Sequence, residues 1–216
     1  KGHVFRLGDD LGPVVGLPGF DAGRFWVQDL AAVAVADLVD VGEGTTVLDA
    51  CAAPGGKAFR MASRGASVTA VDRSSQRLER VAAGAQRLKL PIATIAHDWA
   101  TGSLGGTPTF DAVLVDAPCS GLGTVRRHPE IRWRRHPVDL PAASEHQRTI
   151  LAAASRHVRA GGQLVYAVCS PEPEEGHDVV QAFLAEHADF TLLSELATAP
   201  PTQGEDAHAA FVMRRA

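Results

Sequence analysis

Two cysteines of this 216-residue chain sit where a nucleophile would be of use. Cys119, in Asp116-Ala117-Pro118-Cys119-Ser120, and Cys169, in Tyr166-Ala167-Val168-Cys169-Ser170, each follow an apolar run that reads as a buried strand. In a parallel sheet both sulfurs then lie at the carboxyl ends of strands, where open α/β folds hold their ligands. A third apolar run, Thr46-Val47-Leu48-Asp49-Ala50, leads into Cys51-Ala52-Ala53-Pro54-Gly55-Gly56-Lys57, a glycine turn suited to a nucleotide-like cofactor. Thiols beside a cofactor loop point to covalent catalysis. Cys51, set among Asp49, Ala50 and Ala52, reads as a small packed residue rather than a reactive thiol.

The turn 51–57 is not the G-x-G-x-x-G of dinucleotide enzymes, because its glycines are adjacent and follow a proline. Its expected partners nevertheless come in order. Asp72 ends the second strand about 20 residues on, where a carboxylate takes ribose hydroxyls, and Asp98 follows the third strand, where it could receive an adenine amino group. Singly, either aspartate is also an ordinary helix cap or turn residue. Jointly they form a cradle better suited to adenosine than to a phosphate-rich ligand.

These residues need a scaffold that alternates strand and helix. Strand-like runs at 46–50, 67–71, 91–96, 110–115 and 163–168 are separated mostly by helical patterns such as 74–88 and 142–158. That alternation predicts an α/β fold, a doubly wound and mostly parallel sheet with helices on both faces. Stretches 190–193 and 209–213 would complete seven strands, with 197–206 a surface loop. Asp29 is expected to cap a helix running to about residue 40, and Ser74 or Ser75 caps 74–88, whose inner face carries Leu78, Val81, Ala82, Ala85 and Leu88 before Pro91 ends it. Gly161-Gly162 would close the helix before the fifth strand, and Pro171 and Pro173 would open the helix after Cys169.

Composition narrows the class. A chain of this length fits one domain, and no apolar stretch approaches the ~18 residues of a membrane span. Three cysteines without a C-x-x-C pair argue against a disulfide framework and fit a reducing cytoplasm. The nine histidines show no metal-ligand spacing, so no metal is expected. The chain opens without a methionine or a secretion signal, which suggests a piece of a longer protein that lacks an amino-terminal domain. Net charge is −4, yet the segment 126–136 holds five arginines against one glutamate, a local footprint for phosphates with Trp133 able to stack on a base.

Together these motifs resemble the RsmB/NOP/Sun group of RNA cytosine-5 methyltransferases over nearly the whole chain. The resemblance rests on Phe25-Trp26-Val27-Gln28-Asp29, on 48–57, on 116–123 with Arg126-Arg127-His128-Pro129, and on 164–170 with Glu174-Glu175. Val168 stands where the group usually has threonine and Ala58 where serine or threonine follows the lysine, differences that touch positioning rather than reactive groups. The resemblance implies a class I, Rossmann-like methyltransferase domain over 29–216, an extension 1–28 packed on it, and a missing amino-terminal RNA-binding domain. It implies S-adenosyl-L-methionine as cofactor, held by Cys51, Ala52, Ala53, Pro54, Gly55, Gly56, Lys57, Asp72, Arg77, Asp98 and Asp116. RNA is the implied partner, ribosomal first and transfer RNA second, for a cytoplasmic monomer that uses neither membrane nor metal.

The implied reaction has a physical logic. Carbon 5 of cytosine is a poor nucleophile, and a thiolate adding to carbon 6 pushes electrons onto it. Asp116 is the candidate for holding the ring nitrogen and exocyclic amine. Spacing alone leaves open which cysteine attacks, since Pro118-Cys119 is similar to the nucleophile dipeptide of DNA cytosine-5 enzymes; the family resemblance assigns attack to Cys169 and product release to Cys119. The base must leave its stack to be reached, which favours single-stranded RNA or a loop. The competing expectations are an RNA-binding assembly factor with little turnover, a methyltransferase for DNA or a small molecule, and a dehydrogenase, the last disfavoured by the glycine pattern.

Overall fold

A computed structural model of the chain describes residues 3–5, 12–198 and 205–216. Seven strands, β1 (Thr46–Asp49), β2 (Ser67–Asp72), β3 (Ile92–Ala96), β4 (Phe110–Asp116), β5 (Val158–Val168), β6 (Phe190–Ala197) and β7 (Ala209–Arg215), form one sheet in the order β3-β2-β1-β4-β5-β7-β6. Strands β1 to β5 pair in parallel, and β7 inserts antiparallel between β5 and β6. Central strands are apolar throughout because both faces are covered. Leu114 and Val165 pack on α1 (Leu30–Asp37) and α2 (Gly56–Ser63) through Val35 and Met61, while Val113 and Tyr166 meet α5 (Leu140–Ser155) and α6 (His177–Glu186) through Leu151 and Phe183. The doubly wound reading therefore stands.

Local signals explain most boundaries. The Asp29 carboxylate accepts from the Ala31 N–H at 2.9 Å, and Ser74 Oγ accepts from the Arg77 N–H at 3.3 Å, so both expected caps form. Helix α3 (Ser75–Leu88) buries Leu78, Val81 and Ala85 against β2, but Ala82 faces solvent, one position off the inner stripe. Lys89, at φ 55°, already ends α3 before Pro91 is reached, and α1 stops at Asp37 rather than near residue 40.

Three expectations fail for identifiable reasons. Gly161 and Gly162 do not cap a helix: α5 ends at Ser155, β5 starts at Val158, and the glycines form a bulge between the Phe110–Val158 and Ala112–Gln163 pairs. Gly161 has φ 68°, which suits a helix cap and a bulge equally, so residue type could not separate them. A Cβ on Gly162 would lie 2.8 Å from the Arg159 carbonyl, which is why glycine is required there. Pro171 and Pro173 occupy the turn ahead of α6, which begins only at His177. The segment 197–206 is not simply a surface loop: Ala197 still pairs in β6, 199–204 lie outside the described residues, and Asp206 is fully buried.

Residues 20–25 dock on α3 by close approach. Arg87 donates to the Phe20 and Phe25 carbonyls at 2.5 and 3.1 Å and stacks over the Phe20 ring. A side chain at Gly23 would collide with the Arg87 carbonyl at 1.9 Å. No helix among the described residues is long and apolar enough to cross a membrane.

Candidate active site

The carboxyl ends of β1, β2, β4 and β5 open onto one crevice of about 220 Å³, lined in part by Cys51, Ala53, Asp72, Arg77, Asp98, Asp116, Cys119 and Cys169. The turn 51–57 reaches it by a tight path. Ala52 N–H donates to the Val71 carbonyl at 2.8 Å and Gly55 N–H to the Ala52 carbonyl at 2.7 Å. Gly55 has φ 112°, and a Cβ there would sit 2.5 Å from the Phe59 ring, so only glycine turns the chain into α2. Ala52, Pro54, Gly55 and Gly56 thus shape the turn without lining the crevice.

The two aspartates act as cap and as wall at once. Asp72 accepts from the N–H groups of Ala53 (3.3 Å) and Ser74 (3.0 Å), and Arg77 donates to the Ala53 carbonyl at 2.8 Å. Asp98 accepts from the Ala100 N–H at 3.0 Å as the cap of a short 3-10 turn. Both residues line the crevice. Sequence reading overlooked Trp99, whose indole donates to the Ala50 carbonyl at 2.7 Å, and His146 and Ile150, which α5 contributes from the opposite side. A tryptophan directly after Asp98 was the available signal; nothing local marks His146.

At the other end the two sulfurs meet. Cys119 and Cys169 Sγ atoms are 3.3 Å apart because β4 and β5 are neighbours, with Asp116 level with Ala167. Gly123 sets this spacing: its N–H donates to the Cys169 carbonyl at 3.0 Å, and a Cβ would fall 2.1 Å from the Ala207 carbonyl. The hydrogen bond shared with Cys119 holds Cys169 below the ordinary thiol range against burial and Asp116, with Lys57 helping. The same contact, together with burial and the charges of Cys169 and Glu175, pushes Cys119 well up. Of the two sulfurs, Cys169 is the one whose surroundings favour the thiolate. Cys51 is pushed up by burial and by Asp49, and stays a thiol.

Lys57 turns toward Asp116, with Nζ 2.6 Å from Oδ2. Burial works against its charge, yet Asp116 and Asp49 hold the ammonium above its usual range. Asp49 is 1% exposed, and among the described residues neither oxygen has a well-formed hydrogen bond, the Cys51 backbone N–H giving only weak help. Burial, then Asp116, raise its carboxyl to about 7, against the opposing pull of Lys57. A proton retained in the fold up to about pH 7 but lost near 3.8 in the unfolded chain means that stability falls as pH rises between those values. Relative to Asp49→Asn, the unaltered chain should lose about 2–3 kcal/mol between pH 5 and pH 8 in urea melts; a pH-independent difference would contradict this ionisation.

The arginine-rich segment divides. Arg127 binds the buried Asp206 through Nε at 2.8 Å and through Nη2, and Arg126 lies 3.3 Å from Asp29 and 3.4 Å from Asp206. Arg135 donates to the Ser120 carbonyl at 3.0 Å. These three therefore also pin their own loop, while their side chains stay exposed. Arg132, Trp133 and Arg134 on α4 (Ile131–Arg134) remain exposed, Trp133 at 74%. Among the described residues no group of three His, Cys, Asp or Glu side chains could hold a metal ion.

A parallel sheet with one reversed strand inserted before its edge, and a nucleoside-sized crevice at the carboxyl ends, defines a class I methyltransferase fold. Residues 36–213 match the family model for the 16S rRNA methyltransferase RsmB/F, and the chain belongs to that family. It is 43% identical over 180 residues to the ribosomal RNA small subunit methyltransferase B of Erwinia tasmaniensis, covering 82% of this chain and 42% of the relative. The protein of the same name from Serratia proteamaculans is 43% identical over 183 residues, covering 83% and 43%. The chain therefore spans under half the length of these curated relatives. The crystal structure of PH0851 superposes with a TM-score of 0.87 at 28% identity, over 92% of this chain and 49% of that one.

Proposed function

We propose that this chain transfers a methyl group from S-adenosyl-L-methionine to carbon 5 of a cytosine in RNA, ribosomal RNA of the small subunit first, through a transient bond between Cys169 and the base. The observation that carries this reading is the 3.3 Å approach of two sulfurs beside the Lys57–Asp116 pair, on the wall of a crevice that fits a nucleoside. The fit is chemical: Asp72 and Asp98 offer carboxylates for ribose and adenine, and Trp99, Pro118 and Ile150 offer apolar surface for a purine. When bound, the cofactor supplies an electrophilic methyl group.

The rest falls to the protein. Cys169, as thiolate, adds to carbon 6 of the pyrimidine and raises electron density at carbon 5. Asp116, steadied by Lys57, accepts from the exocyclic amine and from a proton taken up from water at ring nitrogen 3, and that proton offsets the negative charge that addition places on the ring. After methyl transfer, water takes the carbon 5 proton, the carbon 6–sulfur bond breaks, and Cys119, still a thiol, donates a hydrogen bond to the departing Cys169 thiolate. Trp133, Arg132 and Arg134 supply a stacking face and charge for the flanking RNA. In this reading 29–216 is the catalytic unit and 1–28 an extension that braces it.

Incubating the chain with total RNA and labelled S-adenosylmethionine should place label in 5-methylcytidine after digestion to nucleosides. Cys119→Ala should instead yield a slow-migrating RNA adduct on a denaturing gel. Label in another nucleoside, or no adduct, would reject the cytosine-5 mechanism, and RNA binding without any label would favour an assembly factor. Thermal melts should rise with S-adenosylhomocysteine and not with NAD.

A further inference from the structure

The residues around the two cysteines converge on a side chain with no place in the reaction above. Glu175 lies in the turn between Cys169 and α6 and is fully buried. Its Oε1 accepts from the Ser120 N–H at 2.7 Å and from the Gln147 amide at 3.0 Å, and its Oε2 accepts from the Ser120 hydroxyl at 2.5 Å. Both oxygens are acceptors, as a carboxylate requires, and all three donors are neutral. The same Gln147 amide also donates to the Pro118 carbonyl at 3.0 Å. Ser120 Oγ lies 3.3 Å from Ser170 Oγ. Cys119 is therefore fastened on both its flanks, and the residue after Cys169 joins the same network.

A buried carboxylate is costly to leave without a cation, and loop pinning alone could be done by a neutral glutamine or by backbone. Here three neutral donors hold a charge in place, and that charge acts on the adjacent Cys119. We propose that Glu175 is a positioning residue: it fixes the Cys119 loop and sets a negative charge behind Cys119, so that Cys169, and not Cys119, is the sulfur that ionises. Two thiols in contact cannot both lose a proton cheaply, and the neighbouring charges decide which does. On the Cys169 side stand Lys57 and Asp116, a paired cation and anion. On the Cys119 side stands Glu175, and the buried Tyr166, kept neutral, donates its hydroxyl to the Glu175 backbone carbonyl at 2.6 Å. Arg135 reaches the Ser120 carbonyl from an exposed position, where water screens it, and Arg127 is neutralised by Asp206. The asymmetry thus runs from Glu175 through Cys119 to Cys169.

The division of labour between the cysteines rests on the reading proposed above, but the assignment of charge can be tested without RNA or cofactor. Brief alkylation of the free chain with iodoacetamide at pH 8, followed by peptide mass spectrometry, should show Cys169 modified faster than Cys119. In Glu175→Gln, which keeps the size and an acceptor, the ratio of the two rates should fall about tenfold. Ser120→Ala loosens the loop yet keeps the charge, and should leave the ratio within about twofold. Faster alkylation of Cys119 in the unaltered chain would overturn the proposal, and so would an unchanged ratio in a folded Glu175→Gln. An equal drop in Ser120→Ala would assign the effect to loop position and overturn it as well. Should Glu175→Gln fail to fold, Glu175→Ser, which removes the charge with a smaller side chain, is read by the same ratio: a fall of about tenfold supports the proposal and an unchanged ratio overturns it. Failure of methyl transfer to RNA with the alkylation ratios as expected would count against the proposed reaction alone.

Discussion

Replacing Cys169 with alanine is expected to lower methyl transfer to RNA by at least about a thousandfold and to remove every trace of covalent adduct. The expectation follows from which sulfur is ionised. Cys169 shares a hydrogen bond with Cys119 and is favoured as thiolate by the Lys57 ammonium, whereas Cys119 is pushed the other way. Alanine at 169 leaves Cys119 as the one sulfur facing the base. That thiol is pushed up by burial and by Glu175, and cannot substitute. The doubly altered chain, Cys119→Ala with Cys169→Ala, separates attack from trapping: it should give no adduct, where Cys119→Ala alone gives a strong one. An adduct that survives loss of Cys169 would reverse the roles assigned here. Both substitutions remove a partly buried side chain of modest size, so thermal melts should shift by only a few degrees.

The second large effect is expected at Lys57. Lys57→Met keeps the length of the side chain and removes its charge, leaving Asp116 and Asp49 as neighbouring carboxyls with no cation between them. One of the two must then hold a proton more tightly, and the hydrogen-bonding face offered to the base changes with it. Methyl transfer should fall by roughly 10²–10³-fold, the range typical of losing one preorganised electrostatic contact. A merely structural lysine would lower the rate at all pH values alike. The geometry makes a sharper demand: Lys57 also favours the Cys169 thiolate, so the acid limb of the pH–rate profile should move to higher pH in Lys57→Met and return toward its original position in Lys57→Arg. An unmoved limb would remove Lys57 from the ionisation of the nucleophile.

Much of this site could be read from residue order. Strand ends marked by Asp49, Asp72, Asp116 and Cys169 lie side by side because alternating strands and helices wind a parallel sheet, and that alternation is a local signal. Caps at Asp29 and Ser74 were legible for the same reason, since each is satisfied within three residues. Contacts between residues far apart in the chain left no such trace. Arg127 and Asp206 are 79 residues apart, and nothing near either indicates that the one neutralises the other, so the bracing done by Arg126 and Arg127 appears only in the fold. Glu175 shows the same limit. Its place in a motif was visible, but its hold on Ser120, 55 residues earlier, exists only once β4 and β5 lie together. The misplaced glycine pair is a different case: one backbone angle serves two structures, and only the pairing of β4 with β5 chooses between them.

The insertion of β7 between β5 and β6 has a consequence for how the site is assembled. Ala207 and Asp206, just ahead of that strand, tie down Gly123 and Arg127 in the loop that follows Cys119. A chain cut before residue 205 would keep both sulfurs and every carboxylate of the crevice and still lack the clamp that aligns them.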